Sequence, residues 1–117
     1  MDATELAGAL NGGDADEVVR TVADWIGRSL GSPDLDLSVE PALTGASHID
    51  ALLAAATAHV ARRLGQPTPP WTIGPHRTME SFWHPGPPDL FANALVHAPG
   101  EFAVRGVFIE ADSLESV

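Results

Sequence analysis

Five histidines, His48, His59, His76, His84 and His97, are the residues of this 117-residue chain best suited to hold a metal or move a proton. Zinc takes three or four ligands, and two of them are usually held close together by one helix turn. The sequence contains no HxxxH or HExxH spacing, and its nearest pair, His76 and His84, lies in a proline-rich segment. There is no cysteine, so thiolate ligands, cysteine nucleophiles and disulfides are excluded. The spacing therefore predicts no metal ligands and no cofactor. The alternative is a small-ligand or metal-binding domain built on the loop histidines. His59 lies beside an apolar helical stripe and reads as a boundary residue. His97 lies near a helix end, where a donor suits the dipole.

The carboxylates suggest two further chemistries. Asp34-x-Asp36-x-Ser38 opens like a calcium loop, but Val39 stands where the tight-turn glycine belongs and Gly45 where the bidentate glutamate belongs. A solvated acidic face accounts for it better. Glu110 and Asp112 resemble an acid–base pair, yet Asp112-x-x-Glu115 is better explained as a helix start. None of the serines has a nucleophile-elbow context, and a chain without lysine cannot build a P-loop. No catalytic residue is expected, and the chain reads as a non-enzyme.

Binding is left. Phe82, Trp83, Phe91, Phe102 and Phe108 cluster in the last third of the chain. Such rings fill the core of a small helical domain, and they are also over-represented where proteins meet. Arg105 lies between Phe102 and Phe108. It is expected to stand partly exposed, paired with Glu101 or Glu110 or open to a partner carboxylate. The candidate partner-binding residues are Arg105, Trp83 and Phe82. The run FAVRGVFIEADSLESV, residues 102–117, reads as a structural clasp, with Phe108 buried and Gly106 at positive φ.

Charge narrows the partner. Sixteen acidic residues face six basic ones, all arginine, for a formal charge of −10. That field repels the phosphates of nucleic acid and of an anionic membrane, and favours a basic protein surface. The opening MDATELAGAL carries acids where a leader would be basic, and no apolar run approaches the roughly 20 residues of a spanning helix. The expected location is the cytoplasm, with no membrane contact.

Helices must position these residues. Residues 2–10 carry Leu6 and Leu10 on one side and stop at Asn11-Gly12-Gly13. Asp14-x-x-Glu17 opens a second helix with Val18, Val22, Trp25, Ile26 and Leu30 on one stripe. Residues 32–46 read as loop, in which Leu35, Leu37 and Val39 alternate with polar residues as in a short edge strand or an extended strap; Pro33 and Pro41, which bracket the segment, favour the strap. Ser47-x-x-Asp50 opens a third helix, with Ile49, Leu52, Leu53, Ala56, Val60 and Leu64 in helical register and Gly65 as its stop. Seven of the ten prolines fall between Pro67 and Pro88, yet Trp71, Ile73, Met79, Phe82 and Trp83 are spread among them. This predicts an ordered loop, with a helical turn around Thr78 to Trp83. Asp89 caps a helix carrying Phe91, Ala94 and Leu95, and Pro99 opens a short one carrying Phe102. The expectation is one domain, residues 1–117, mainly α: a small orthogonal bundle of four to five helices with a long ordered proline-rich loop. Its expected core is Val18, Val22, Trp25, Ile26, Ile49, Leu52, Leu53, Ala56, Val60, Leu64, Trp71, Phe91, Leu95, Phe102 and Phe108.

Four segments carry a resemblance: Ala61 to Gly65, Pro67 to Trp71, Ala94 to Pro99, and Phe102 to Ala111. Together they resemble an uncharacterised actinobacterial domain, over about residues 47–117. In similar proteins that domain follows a helix-turn-helix regulator and is encoded beside a nucleotidyltransferase-like toxin. The resemblance implies an antitoxin-like or regulatory accessory role in which the domain contacts another protein. Residues 1–46 are acidic and too short for a helix-turn-helix domain, so only the interaction role carries over.

Overall fold

The computed structural model describes residues 3–10, 15–32, 34, 36–79, 83–85, 91–109 and 114. Helices α1 (Ala3–Leu10), α2 (Ala15–Leu30), α3 (Ser47–Arg63), α4 (Phe91–His97) and α5 (Gly100–Ala103) follow in order, with a 3-10 turn at Pro70–Ile73. The fold is mainly helical, as expected, and no strand occurs among the described residues. No helix among them is long and apolar enough to cross a membrane. The expected glycine stop at residues 11–13, the caps at Asp14 and Asp89, and the last turn from Asp112 lie outside the described residues.

Helix α3 is the axis on which the others assemble. Every residue from Ile49 to Ala61 is buried. The sequence suggested one apolar stripe, but the helix is covered on all sides. The reason is its alanines: Ala51, Ala54, Ala55, Ala58 and Ala61 let neighbours approach faces that longer side chains would hold open. α1, α2, α5 and the 3-10 turn all pack on it. Helix α2 behaves as its stripe predicted, with Val18, Val22, Trp25 and Ile26 in the core and Arg20, Asp24 and Arg28 outside. Each fully buried side chain of this size contributes about 1.5–3 kcal/mol.

Two helices end by the same device. At Gly65 (φ 70°) the Gln66 amide donates to Ala61 and the Gly65 amide to Arg62. At Gly106 (φ 76°) the Val107 amide donates to Phe102 and the Gly106 amide to Ala103. Both are Schellman motifs, and the left-handed residue favours glycine. The second aims the chain into the clasp. Trp83 forms a parallel bridge with Val107, in which the Trp83 amide donates to Gly106 and the Phe108 amide to Trp83. Residues 80–82 of the expected helical turn are outside the described residues.

Four expectations need correction. Leu95 is 45 % exposed, and Leu64 and Phe91 are only partly buried. Ala94, fully buried, takes the inward position of α4, which rotates Leu95 about 100° away from it. Val39 is exposed although Leu37 is buried, because Asp36 and Ser38 close a side-chain turn that breaks the alternation. Helix α3 has Ala46 as its N-cap with no side-chain cap, and Asp50 instead reaches back to the Thr44 amide and hydroxyl. His59 is buried, not at a boundary.

Candidate functional site

The proline-rich segment is held to the strap by one side chain. Arg77 is 1 % exposed. Its Nε and Nη2 donate to Glu40 Oε2 at 3.2 and 3.0 Å. Nη2 also donates to the Pro41 carbonyl at 2.6 Å, and Nη1 to the Asp50 carbonyl at 3.3 Å. The guanidinium carbon lies 4.9 Å from the Trp71 ring centroid, a cation–π distance. Trp71 in turn donates its indole N–H to the Leu37 carbonyl at 3.0 Å. Strap, 3-10 turn, α3 and the loop after it therefore meet at Arg77.

This frame leaves a groove between the strap and residues 74–79. A pocket of about 490 Å³ is lined by Glu40, Pro41, Ala42, Leu43, Trp71, Gly74, Pro75, His76 and Arg77. A second, of about 440 Å³, is lined by Leu43, Gly45, Ser47, Asp50, Pro75, His76, Thr78 and Met79. Leu43, Pro75 and His76 belong to both, so the two adjoin. Leu43 is 49 % exposed and Asp50 only 4 %. Oδ1 of Asp50 accepts from the Thr44 amide and hydroxyl and lies 3.9 Å from Arg77 Nη1, beyond hydrogen-bonding reach.

No family model, curated protein or solved structure matches this chain.

The site residues expected from sequence fare differently. Arg105 is a correction: it is 5 % exposed, not open to a partner. Its Nε donates to the Thr72 carbonyl at 2.9 Å and its Nη1 to the Glu101 carbonyl at 2.7 Å. Burial pulls its pKa down from the usual guanidinium value. Phe102 and Phe108 pack as core, and the arginine beside them ties the clasp to the 3-10 turn. Trp83 is half-buried, and its ring centroid lies 4.9 Å from that of His48. It packs against the core, and neither it nor His48 lines either pocket. Phe82 lies outside the described residues.

The histidines do not converge. Among the described residues no group of three or more His, Asp or Glu side chains comes together to hold a metal. His84 meets the Phe108 carbonyl through Nδ1 at 2.9 Å, and His76 and His97 are exposed. The calcium-loop lookalike is a local turn. Asp36 Oδ1 accepts from the Ser38 amide and hydroxyl, and those bonds hold its carboxyl below the usual carboxylate range.

His59 forms a separate cluster between α3 and α5. Its Nδ1 lies 3.5 Å from Glu101 Oε2, and neither atom has a hydrogen-bond partner. Arg62 Nε donates to the other oxygen of Glu101. Burial lowers the His59 pKa to about 4, helped by Arg62 and Arg63. The Glu101 carboxylate pulls the other way, but Arg62 already engages its charge, so the downward direction stands. Neither pocket touches this cluster.

Sequence reasoning missed Arg77, Glu40, Asp50, Leu43 and His76 as one constellation. Arg77 was the available signal, as the lone arginine of the proline-rich stretch between Pro67 and Pro88.

Proposed function

We propose that this chain is a non-catalytic protein-interaction domain whose docking surface is the groove between the strap and residues 74–79. The observation that carries this reading is Leu43, a half-exposed leucine shared by two adjoining pockets on a frame fixed by a fully buried arginine. Such a frame is ordered before any partner arrives, which lowers the cost of association. The formal charge of −10 supports a protein partner with a basic face over nucleic acid. The role is antitoxin-like or regulatory, acting in the cytoplasm on a toxin-like neighbour. The segments that carry that resemblance include Pro67 to Trp71, which ends in the groove's wall.

The test is affinity capture from the native host with the wild-type chain and Leu43→Ser. The wild type should retain one protein in stoichiometric amount. The variant should lose it while melting like the wild type. Equal retention by both would sink the groove as the docking surface.

A further inference from the structure

We infer that the α3–α5 interface is a proton switch set by Arg62: while this arginine holds Glu101, His59 stays neutral, and when it is drawn away His59 takes up a proton and replaces it. The switch is independent of the groove, which this cluster does not touch. The carboxylate of Glu101 is 12 % exposed and presents its two oxygens to two different bases. Arg62 Nε donates to Oε1. Oε2 and the facing Nδ1 of His59, 3.5 Å apart, are both buried and both unbonded. Two buried polar atoms left unbonded are costly, and a charged imidazole would join them as an ion pair. Charge withholds that proton. With Arg62 in place, a second cation leaves the cluster with net positive charge in a low-dielectric setting. The lowered pKa of His59 agrees, with burial its first cause and Arg62 its second.

The two bases differ in freedom. The Arg62 side chain is 59 % exposed and can turn outward, whereas that of His59 is 9 % exposed. Phe102, fully buried, packs edge-on against the His59 ring at 5.8 Å. Arg105 Nη1 holds the Glu101 carbonyl, which fixes the backbone from which the carboxylate projects. A buried carboxylate stripped of its cation is strongly disfavoured. No other described cation is placed to take over. Arg63 is exposed and forms no ion pair with Glu101, and Arg105 spends its bonds on carbonyls. Helix α2 turns its described charges, Glu17, Arg20, Asp24 and Arg28, outward, and the 3-10 turn carries none. The side chain of Glu5, the one charged residue of α1, lies outside the described residues. Release of Arg62 therefore leaves His59 to balance Glu101, with a proton drawn from water. One carboxylate faces one cation in both states. By reciprocity, acidification and any contact that engages Arg62 favour each other.

The test follows the His59 imidazole by NMR as the full chain is titrated with acid. Wild type is compared with Arg62→Gln, Arg63→Gln and the double variant Arg62→Gln/Glu101→Gln. Arg62→Gln should raise the proton affinity of His59 about ten- to a thousandfold, the effect of an uncompensated opposite charge at this distance. Arg63→Gln loses the same charge on the adjacent residue without touching Glu101. It should raise the affinity less than about fivefold, as befits an exposed charge. In the double variant the rise should fall back to the level of Arg63→Gln, because nothing remains to attract the proton. Equal effects of Arg62→Gln and Arg63→Gln overturn the switch and leave only general repulsion. A rise that survives in the double variant overturns it too, since Glu101 is then not what charges His59. So does a His59 that titrates in Arg62→Gln as it does in the wild type. Glu101 lies at a packed interface, so the double variant is at risk of unfolding. The comparison of the two single variants, both at exposed arginines, decides the matter without it.

Discussion

Replacing Arg77 with methionine keeps most of the buried stem and removes the fork. The cost follows from what the guanidinium leaves behind. The Pro41 carbonyl loses its donor, whereas that of Asp50 keeps the amide of its own helix turn. An unsatisfied buried acceptor costs about 1–3 kcal/mol. The cation–π contact with Trp71 adds about 0.5–2 kcal/mol. Glu40, half-exposed, turns to water and adds little. The expected loss is about 2–5 kcal/mol, reaching the range for breaking a buried ion pair by removing one partner. At this chain length that lowers the melting temperature by roughly 6–25 °C. Urea melts followed by tryptophan fluorescence measure it, and Arg77→Lys, which keeps charge but not the fork, should recover less than half. If Arg77→Met unfolds within about 1 kcal/mol of the wild type, the network is not what holds strap to loop, and the preformed groove goes with it.

Arg105→Ala should destabilise by about 2–4 kcal/mol in the same melts, because a buried carbonyl and a partly buried one lose charged donors; a neutral result would restore it to the surface. Gly106→Ala should cost about 1 kcal/mol or more at φ 76°, and Phe108→Ala about 3–5 kcal/mol, both read by chemical denaturation. His59 has its folded pKa lowered from 6.5 to about 4, so its neutral form stabilises the fold fully above pH 6.5 and that stability is lost as pH falls through this window. The full shift is worth about 3 kcal/mol; solvent screening of Arg62 and the pull of Glu101 leave about 1–2 kcal/mol, and His59→Leu should flatten the melting profile between those pH values. Chelator should leave the melting temperature unchanged, and a drop of many degrees would reveal a structural metal.

Helix existence was legible in the sequence because it rests on local spacing. The stripe of α2, the glycine stop at Gly65 and the positive φ of Gly106 all follow from residues within two turns of one another. The all-round burial of α3 was harder to read. A run of alanines matches an exposed face and a crowded one equally well, and only the neighbours decide. Arg105 was misplaced for a related reason. Its acceptors are the carbonyls of Glu101 and Thr72, and the second lies 33 residues away. The groove was invisible because Arg77 joins residues 27 to 37 positions distant. Glu40 was the only acceptor side chain that a charge pattern could have suggested.

Both buried arginines spend bonds on main-chain oxygens, and this sets how the protein tolerates mutation. A carbonyl is the same whatever side chain its residue carries. Positions 41, 72 and 101 can change identity without removing the acceptors that Arg77 and Arg105 use, whereas no other residue type supplies their donors. Saturation mutagenesis should therefore show two intolerant arginines, with tolerance at positions 41, 72 and 101 set by those side chains' own contacts and not by the arginine bonds. Compensating substitutions at those acceptors should be absent, because there is nothing in the side chains to exchange.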